Sequence, residues 1–160
     1  MGSPIAVDHR GNHLVAVIKA TTSELEAAAA TTPCPLALVV LVDGVTAQVL
    51  FGLNTWRREY ELPGGIVEPG EGFVETARRE LEEETGIHIE TLELVGYAQF
   101  ALTDPVRDEL GAIYRAEVAG VQASASDEMQ QFLWRSPLSE TEHVISALDD
   151  AIAEWAVRSH

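Results

Sequence analysis

The sequence predicts an α/β protein in which a mixed β-sheet is packed between helices. Three observations carry this. Strand-like and helical segments follow one another in the order strands, helix, strands, helix, the pattern of a sheet covered on its faces. The 160 residues are 46% hydrophobic, enough for one core in one domain. A proline–glycine loop at residues 62–65 hands over directly to a segment of helical period.

Taken in order, residues 13–19 form a β-branched-rich run that reads as an edge strand. Residues 22–30 are alanine-rich, and Ser23 and Glu26 have the spacing of a capping box, which predicts a short helix. Residues 31–35 break that pattern. Residues 36–42, the Asp43-Gly44 pair and residues 46–53 then read as a hairpin around a tight turn. The polar segment 57–61 leads into Leu62-Pro63-Gly64-Gly65, where proline and paired glycines predict a loop. Residues 72–85 place Val74, Ala77 and Leu81 on one stripe, and Gly86 stops the helix. Strands are expected within 92–102, 110–118 and 132–134. Ser139 and Glu142 have capping-box spacing ahead of Val144, Ile145, Leu148, Ile152 and Trp155, the apolar face of a C-terminal helix. Residues 1–35 are read as an extension of the domain formed by 36–160, serving a homodimer contact or covering a substrate pocket.

Composition excludes several function classes. A formal net charge of -16 disfavours nucleic acid, whose phosphate backbone needs clustered cations. A small phosphorylated substrate remains open, because a bound divalent cation reverses the local sign. The longest apolar run, residues 36–42, is far short of a membrane helix. Cys34 is the only cysteine, so no internal disulfide forms; with no apolar leader around Asp8, His9 and Arg10, the protein is expected in the cytoplasm. Cys34 itself reads as an unreactive loop thiol, and His9, His13, His88, His143 and His160 show no metal spacing.

Residues 65–87 are dense in carboxylates. On an arbitrary acidic helix these are a solvated face. Here Glu80, Glu83 and Glu84 fall within roughly 100° of one another on the helix. Their mutual repulsion is best relieved by a cation, and all-oxygen donors suit Mg²⁺, Mn²⁺ or Ca²⁺ over zinc. Arg79, one turn before Glu83, can hold that carboxylate.

Gly65, five residues, Glu71, seven residues, then Arg79-Glu80-Leu81-Glu82-Glu83-Glu84-Thr85-Gly86-Ile87 resemble the Nudix box at every defined position over 23 residues. The resemblance extends in element order over residues 36–158. It implies a Nudix fold, an α/β/α sandwich whose loop–helix–loop cradles metal and diphosphate. By the same resemblance Glu80, Glu83, Glu84 and the Gly65 carbonyl hold Mg²⁺, or Mn²⁺ in its place. Arg79 orients Glu83, and Glu71 fixes the box loop. Glu128, beside Asp127, stands where family members often add one more carboxylate. The implied chemistry is metal-assisted hydrolysis of a diphosphate bond in a nucleoside triphosphate or an ADP-ribose-like substrate, with Glu83 the first and Glu128 the second candidate for general base.

Outside the box, Arg57 and Arg58, with Gly64 and Gly65, are the substrate-binding candidates, set against ordinary surface ion pairs for them and for Arg107 and Arg115. Trp56, Tyr60, Tyr97, Phe100 and Tyr114 offer faces for a nucleobase, though core packing is the commoner use of aromatics. Two other classes compete with an enzyme. One is a non-catalytic nucleotide or sugar-nucleotide sensor, in which the box glutamates are commonly degraded; none is altered here. The other is a structural Ca²⁺ protein, but the twelve-residue EF-hand loop is absent.

Overall fold

The computed structural model describes residues 2–159, so His160 lies outside the described residues. Its strands are β1 (Ala6–Val7), β2 (His13–Lys19), β3 (Leu36–Asp43), β4 (Val49–Asn54), β5 (Tyr60–Glu61), β6 (Gly64–Ile66), β7 (Glu93–Thr103), β8 (Val106–Val118) and β9 (Met129–Arg135). Its helices are α1 (Thr22–Ala29), α2 (Phe73–Thr85) and α3 (Ala147–Arg158). The sheet runs β1-β2-β7-β8-β3-β4-β5, with β6 added on β3 and β9 on β4. Among the described strand pairs β3–β8 alone is parallel, beside one isolated parallel bridge between Tyr60 and Ile145; the sheet is mixed, as the element order predicts. Among the described residues no helix is long and apolar enough to cross a membrane.

β3 is buried on both faces, which explains its uninterrupted apolar sequence. Ala37, Val39 and Leu41 pack with Leu25 of α1 and Ala77 and Leu81 of α2. Leu38, Val40 and Val42 pack on the other face with Leu148, Ile152 and Ala153 of α3. Leu81 is fully buried, so Leu81→Ala is expected to destabilise the fold by about 2–5 kcal/mol in urea unfolding, without touching a carboxylate.

Several boundaries move from their sequence positions for local reasons. The first helix is capped by Thr21 with Glu24, not by Ser23 with Glu26: the Thr21 hydroxyl accepts from Glu24 N at 3.2 Å and the Glu24 carboxylate from Thr21 N at 3.0 Å. The turn after β3 is longer than an Asp-Gly pair. Asp43 accepts from Val45 N and Thr46 N, and Ala47 takes a positive φ of 61°. The Pro63 loop continues into β6, whose Gly64 and Gly65 pair with Leu38 and Ala37. The last helix starts at Ala147 behind a Ser146 cap, and Ser139 caps nothing helical. Residues 144 and 146 are instead bonded to β5, Tyr60 N donating to Val144 O at 2.8 Å and Ser146 N to Tyr60 O at 2.9 Å. A buried ion pair, Arg135 to Asp150 at 2.6 Å, with Arg135 also donating to Ser139 O, holds the stretch before the helix.

Residues 1–35 add β1 and β2 to the sheet edge beside β7, and α1 to the Leu25 core. Cys34 is free, and burial pushes its thiol up to about 11, where it is a poor nucleophile.

Candidate active site

α2 presents the chemistry because its period sets one stripe inward and the next onto a cleft. Leu81 anchors the helix in the core; Glu80 and Glu84, one turn apart, flank it. Gly86 closes the helix in the left-handed region at φ 74°, with its N–H on Glu82 O, and frees the chain to turn back. The segment before β9 is then fastened to the same helix end: Ser124 N donates to Thr85 O at 2.7 Å and the Ser126 hydroxyl to Glu84 O at 2.8 Å. That attachment brings Glu128 over the helix. Carboxylate oxygens of Glu80, Glu84 and Glu128 lie within 4.8 Å of one another.

The electrostatics of this trio are those of like-charged carboxylates held close together. Glu84 is 3% exposed and accepts from Gly64 N at 2.8 Å. Burial pushes its carboxyl up to about 9 against that hydrogen bond, and Glu128 and Glu80 add to the rise. Glu80 is also raised, by burial first, with Arg79 opposing. Three oxygen donors, like-charged and near enough to share one ion, fit Mg²⁺ or Mn²⁺ by donor type. Gly65 belongs to this fit: a Cβ at that position would overlap the Glu80 carboxylate and force it to move from its place beside Arg79.

Arg79 holds the frame. Its guanidinium donates to both oxygens of Glu71, at 2.7 and 2.9 Å, to Glu80 at 2.8 Å, to Glu83 at 3.2 Å and to Ile66 O at 3.1 Å. Glu71 also accepts from Thr76 Oγ1 at 2.6 Å and Glu68 N at 3.1 Å, which ties the box loop to the helix start. These bonds, Arg79 foremost, hold the Glu71 carboxyl down at about 2.

The three acidic candidates on the helix therefore separate. Glu80 and Glu84 join Glu128, whereas Glu83 is 58% exposed and turned to Arg79, outside the trio. The helical edge places Glu83 beside the other two, but its side chain follows the cation it finds.

The trio lines a cleft of about 600 Å³. Gly64, Gly65 and Ile66 form its floor near the carboxylates, and Leu36 and Leu38 of β3 line it. Arg57 also lines it, gripped by Glu61 through two N–H donors. Arg58 does not line it: it sits exposed at a φ of 60° on the turn, and that conformation sends the neighbouring arginines apart. Trp56 is 69% exposed on the cleft rim, against the core reading of the aromatics, while Tyr60, Phe100 and Tyr114 are buried as core. Arg107 and Arg115 pair with Glu109 and Glu117 on the surface.

Sequence reasoning missed the far wall of the cleft, formed by Asp8, Arg10 and Asn12 on the β1–β2 turn. Arg10 is held at 3.4 Å by Glu59, a 7% exposed side chain, and Asn12 accepts from Thr103 N at 3.0 Å. The one available signal was the turn chemistry of Asp8, whose carboxylate accepts from Arg10 N and Asn12 N at 2.9 Å.

Scaffold and site together define a class: an α/β domain with a cluster of three carboxylates lining a polar cleft. The chain belongs to the Nudix family, since the family model for the NUDIX domain matches residues 35–154. Among curated relatives it is similar to an uncharacterized Nudix hydrolase of Yersinia pestis, 29% identical over 76% of this chain and 70% of the relative. It is 31% identical to an ADP-ribose pyrophosphatase of Methanocaldococcus jannaschii over 49% of this chain and 46% of that protein. A NAD-capped RNA hydrolase, NudC, of Pasteurella multocida is 33% identical over 67% of this chain and 40% of its own length. The chain thus spans less than half the length of two of these relatives. In fold it is similar to the NUDIX domain of Shewanella oneidensis NrtR, solved with ADP ribose, at TM-score 0.67 and 16% identity over 88% of this chain and 99% of that one. It is likewise similar to the Bacillus subtilis pyrophosphohydrolase BsRppH, at TM-score 0.66 and 21% identity over 94% of both chains.

Proposed function

We propose that this chain is a divalent-cation-dependent hydrolase that cleaves the diphosphate bond of a small nucleotide-like substrate, a nucleoside triphosphate or an ADP-ribose-like compound, releasing a nucleoside monophosphate or its equivalent. The observation that carries the reading is the gathering of Glu80, Glu84 and Glu128 within 4.8 Å in a cleft walled by an intact box.

Glu80, Glu84, Glu128 and the Gly65 carbonyl would hold Mg²⁺, with Mn²⁺ a substitute. When bound, the ion supplies charge neutralisation on the diphosphate and acidifies the attacking water. The chain's own residues do the rest. Arg79 keeps Glu80 in one rotamer and ties helix to box loop through Glu71. Gly64 N fixes the orientation of Glu84. Glu128, which lines the cleft, would accept the proton from the attacking water through the oxygen not given to the ion; Glu83 is bound to Arg79 and stands outside the trio. Arg57 lines the route of the substrate from the trio toward the far wall. A cytoplasmic setting suits the lone, poorly nucleophilic Cys34.

The test is a panel of nucleoside triphosphates, ADP-ribose, nucleotide sugars and dinucleoside polyphosphates, each assayed with Mg²⁺ and with chelator. Turnover should need the metal, and Glu128→Gln should lower kcat by about 10²–10⁴-fold while Glu83→Gln costs less. Tight binding of one compound with no turnover would support a sensor and overturn the enzyme reading.

A further inference from the structure

We propose that Asp149 selects the substrate, accepting hydrogen bonds from two adjacent donors on its nucleoside part, either the vicinal hydroxyls of ribose or the neighbouring N–H groups of guanine. This rests on the reading that the diphosphate sits at the glutamate trio, and it names what lies beyond it.

The placement follows from one loop. Glu84 accepts from Gly64 N at 2.8 Å, and Asp149, from the first turn of α3, accepts from Leu62 N at 2.9 Å. Leu62 and Gly64 are separated by one residue, about 7 Å of extended chain. Asp149 therefore lines the same cleft as the trio, tied to the same short loop that holds Glu84. Among the described residues its second oxygen has no hydrogen-bond donor, and no arginine or lysine forms an ion pair with it. Glu61 nearby is already engaged by Arg57, so Asp149 is the acceptor left open to a ligand.

The charge around it fixes the class of group that fits. Eight carboxylates and two arginines line the cleft, and both arginines are held by glutamates, Arg10 by Glu59 and Arg57 by Glu61. A further phosphate would meet net negative charge there, whereas a donor-rich neutral group meets acceptors. Two adjacent donors match this carboxylate: its open oxygen takes one, and the oxygen that accepts from Leu62 N has a second lone pair for the other. Trp56, exposed on the rim, gives a flat apolar face for the attached ring.

The experiment measures binding, so it does not depend on turnover. Dissociation constants of the α,β-methylene analogues of GTP, dGTP, ATP and dATP are measured by calorimetry with Mg²⁺, for the full chain and for Asp149→Asn. The asparagine still accepts from Leu62 N but turns an amide donor toward the cleft. We expect the protein to favour ribo over deoxyribo, or guanine over adenine, by tenfold or more, and the variant to bring that ratio within about twofold of unity. Loss of the ribo preference identifies the sugar as the donor, and loss of the guanine preference identifies the base. Equal weakening of all four analogues means that Asp149 only positions the loop, and overturns the proposal, as does a preference that survives the substitution or four equal constants in the unaltered protein. Failure of all four, and of an α,β-methylene analogue of ADP-ribose, to bind with Mg²⁺ would instead overturn the diphosphate reading itself, and Asp149 with it. A melting temperature unchanged within a few degrees shows that the variant is folded.

Discussion

Glu84→Gln is expected to lower Mg²⁺-dependent turnover by about 10³-fold or more while making the metal-free protein more stable at pH 8. On the proposed function, the loss follows from removing one charged oxygen donor from the trio that would hold the cation, which in turn would neutralise the diphosphate, a contribution of several kcal/mol to the transition state. The gain has a separate origin. Glu84 is 3% exposed, and its carboxyl is pushed up to about 9, chiefly by burial and then by Glu128 and Glu80. A group whose folded pKa is raised binds its proton more tightly folded than unfolded. Its contribution is therefore full below the unfolded value of 4.5 and is lost as pH rises toward 9. Without metal, stability should fall by several kcal/mol across that window, and glutamine, which still accepts from Gly64 N, should remove much of the fall. Melting curves at pH 5 and pH 8, with EDTA and with Mg²⁺, check it. Mg²⁺ should raise the melting temperature of the native sequence more at pH 8 than at pH 5, and raise the variant far less. A native-sequence melting temperature that does not respond to Mg²⁺ at pH 8 would remove the trio from consideration as a cation site.

The second large effect is expected at Arg79. Arg79→Ala should weaken Mg²⁺ binding and lower turnover by about 10–100-fold, because it releases Glu80 from its rotamer and cuts the link from Glu71 and Ile66 to the helix. Arg79→Lys should recover little. A single ammonium cannot reproduce donation to Glu71 through two nitrogens while also reaching Glu80, Glu83 and a backbone carbonyl. Mg²⁺ titration followed by calorimetry, beside steady-state kinetics, separates the affinity loss from the rate loss. Full rescue by lysine would show that only the charge matters.

The parts of this site that were legible in the sequence are those held by local geometry. Glu80 and Glu84 are one turn apart on a helix whose stripe and glycine stop are plain in the sequence, so their shared edge followed from period alone. What depends on a partner distant in sequence was not legible. Glu128 is brought to the helix by Ser124 and Ser126, bonded to backbone carbonyls about forty residues earlier, and by Thr55, which donates to the carbonyls of Asp127 and Glu128, and only family resemblance pointed to it. Arg10 faces the cleft because Glu59, 49 residues away, holds it, and nothing near residue 10 announces that pairing. The start of α3 was misplaced for the same reason. Val144 and Ile145 continue the apolar spacing of the helix, yet their backbone is engaged with Tyr60, and the side chain of Ser146 sets the true beginning.

The way the Glu128 segment is fastened has a consequence for how such a domain diversifies. Its two serines grip carbonyls of Thr85 and of Glu84 itself while Thr55 donates to the carbonyls of Asp127 and Glu128, so the last acidic residue of the trio takes its bearings from both the helix and the end of β4. The stretch between the end of β8 and Ser124 is spared any part in that alignment. It can lengthen, shorten or drift in composition over evolutionary time, and the oxygen atoms that matter would keep their relative places.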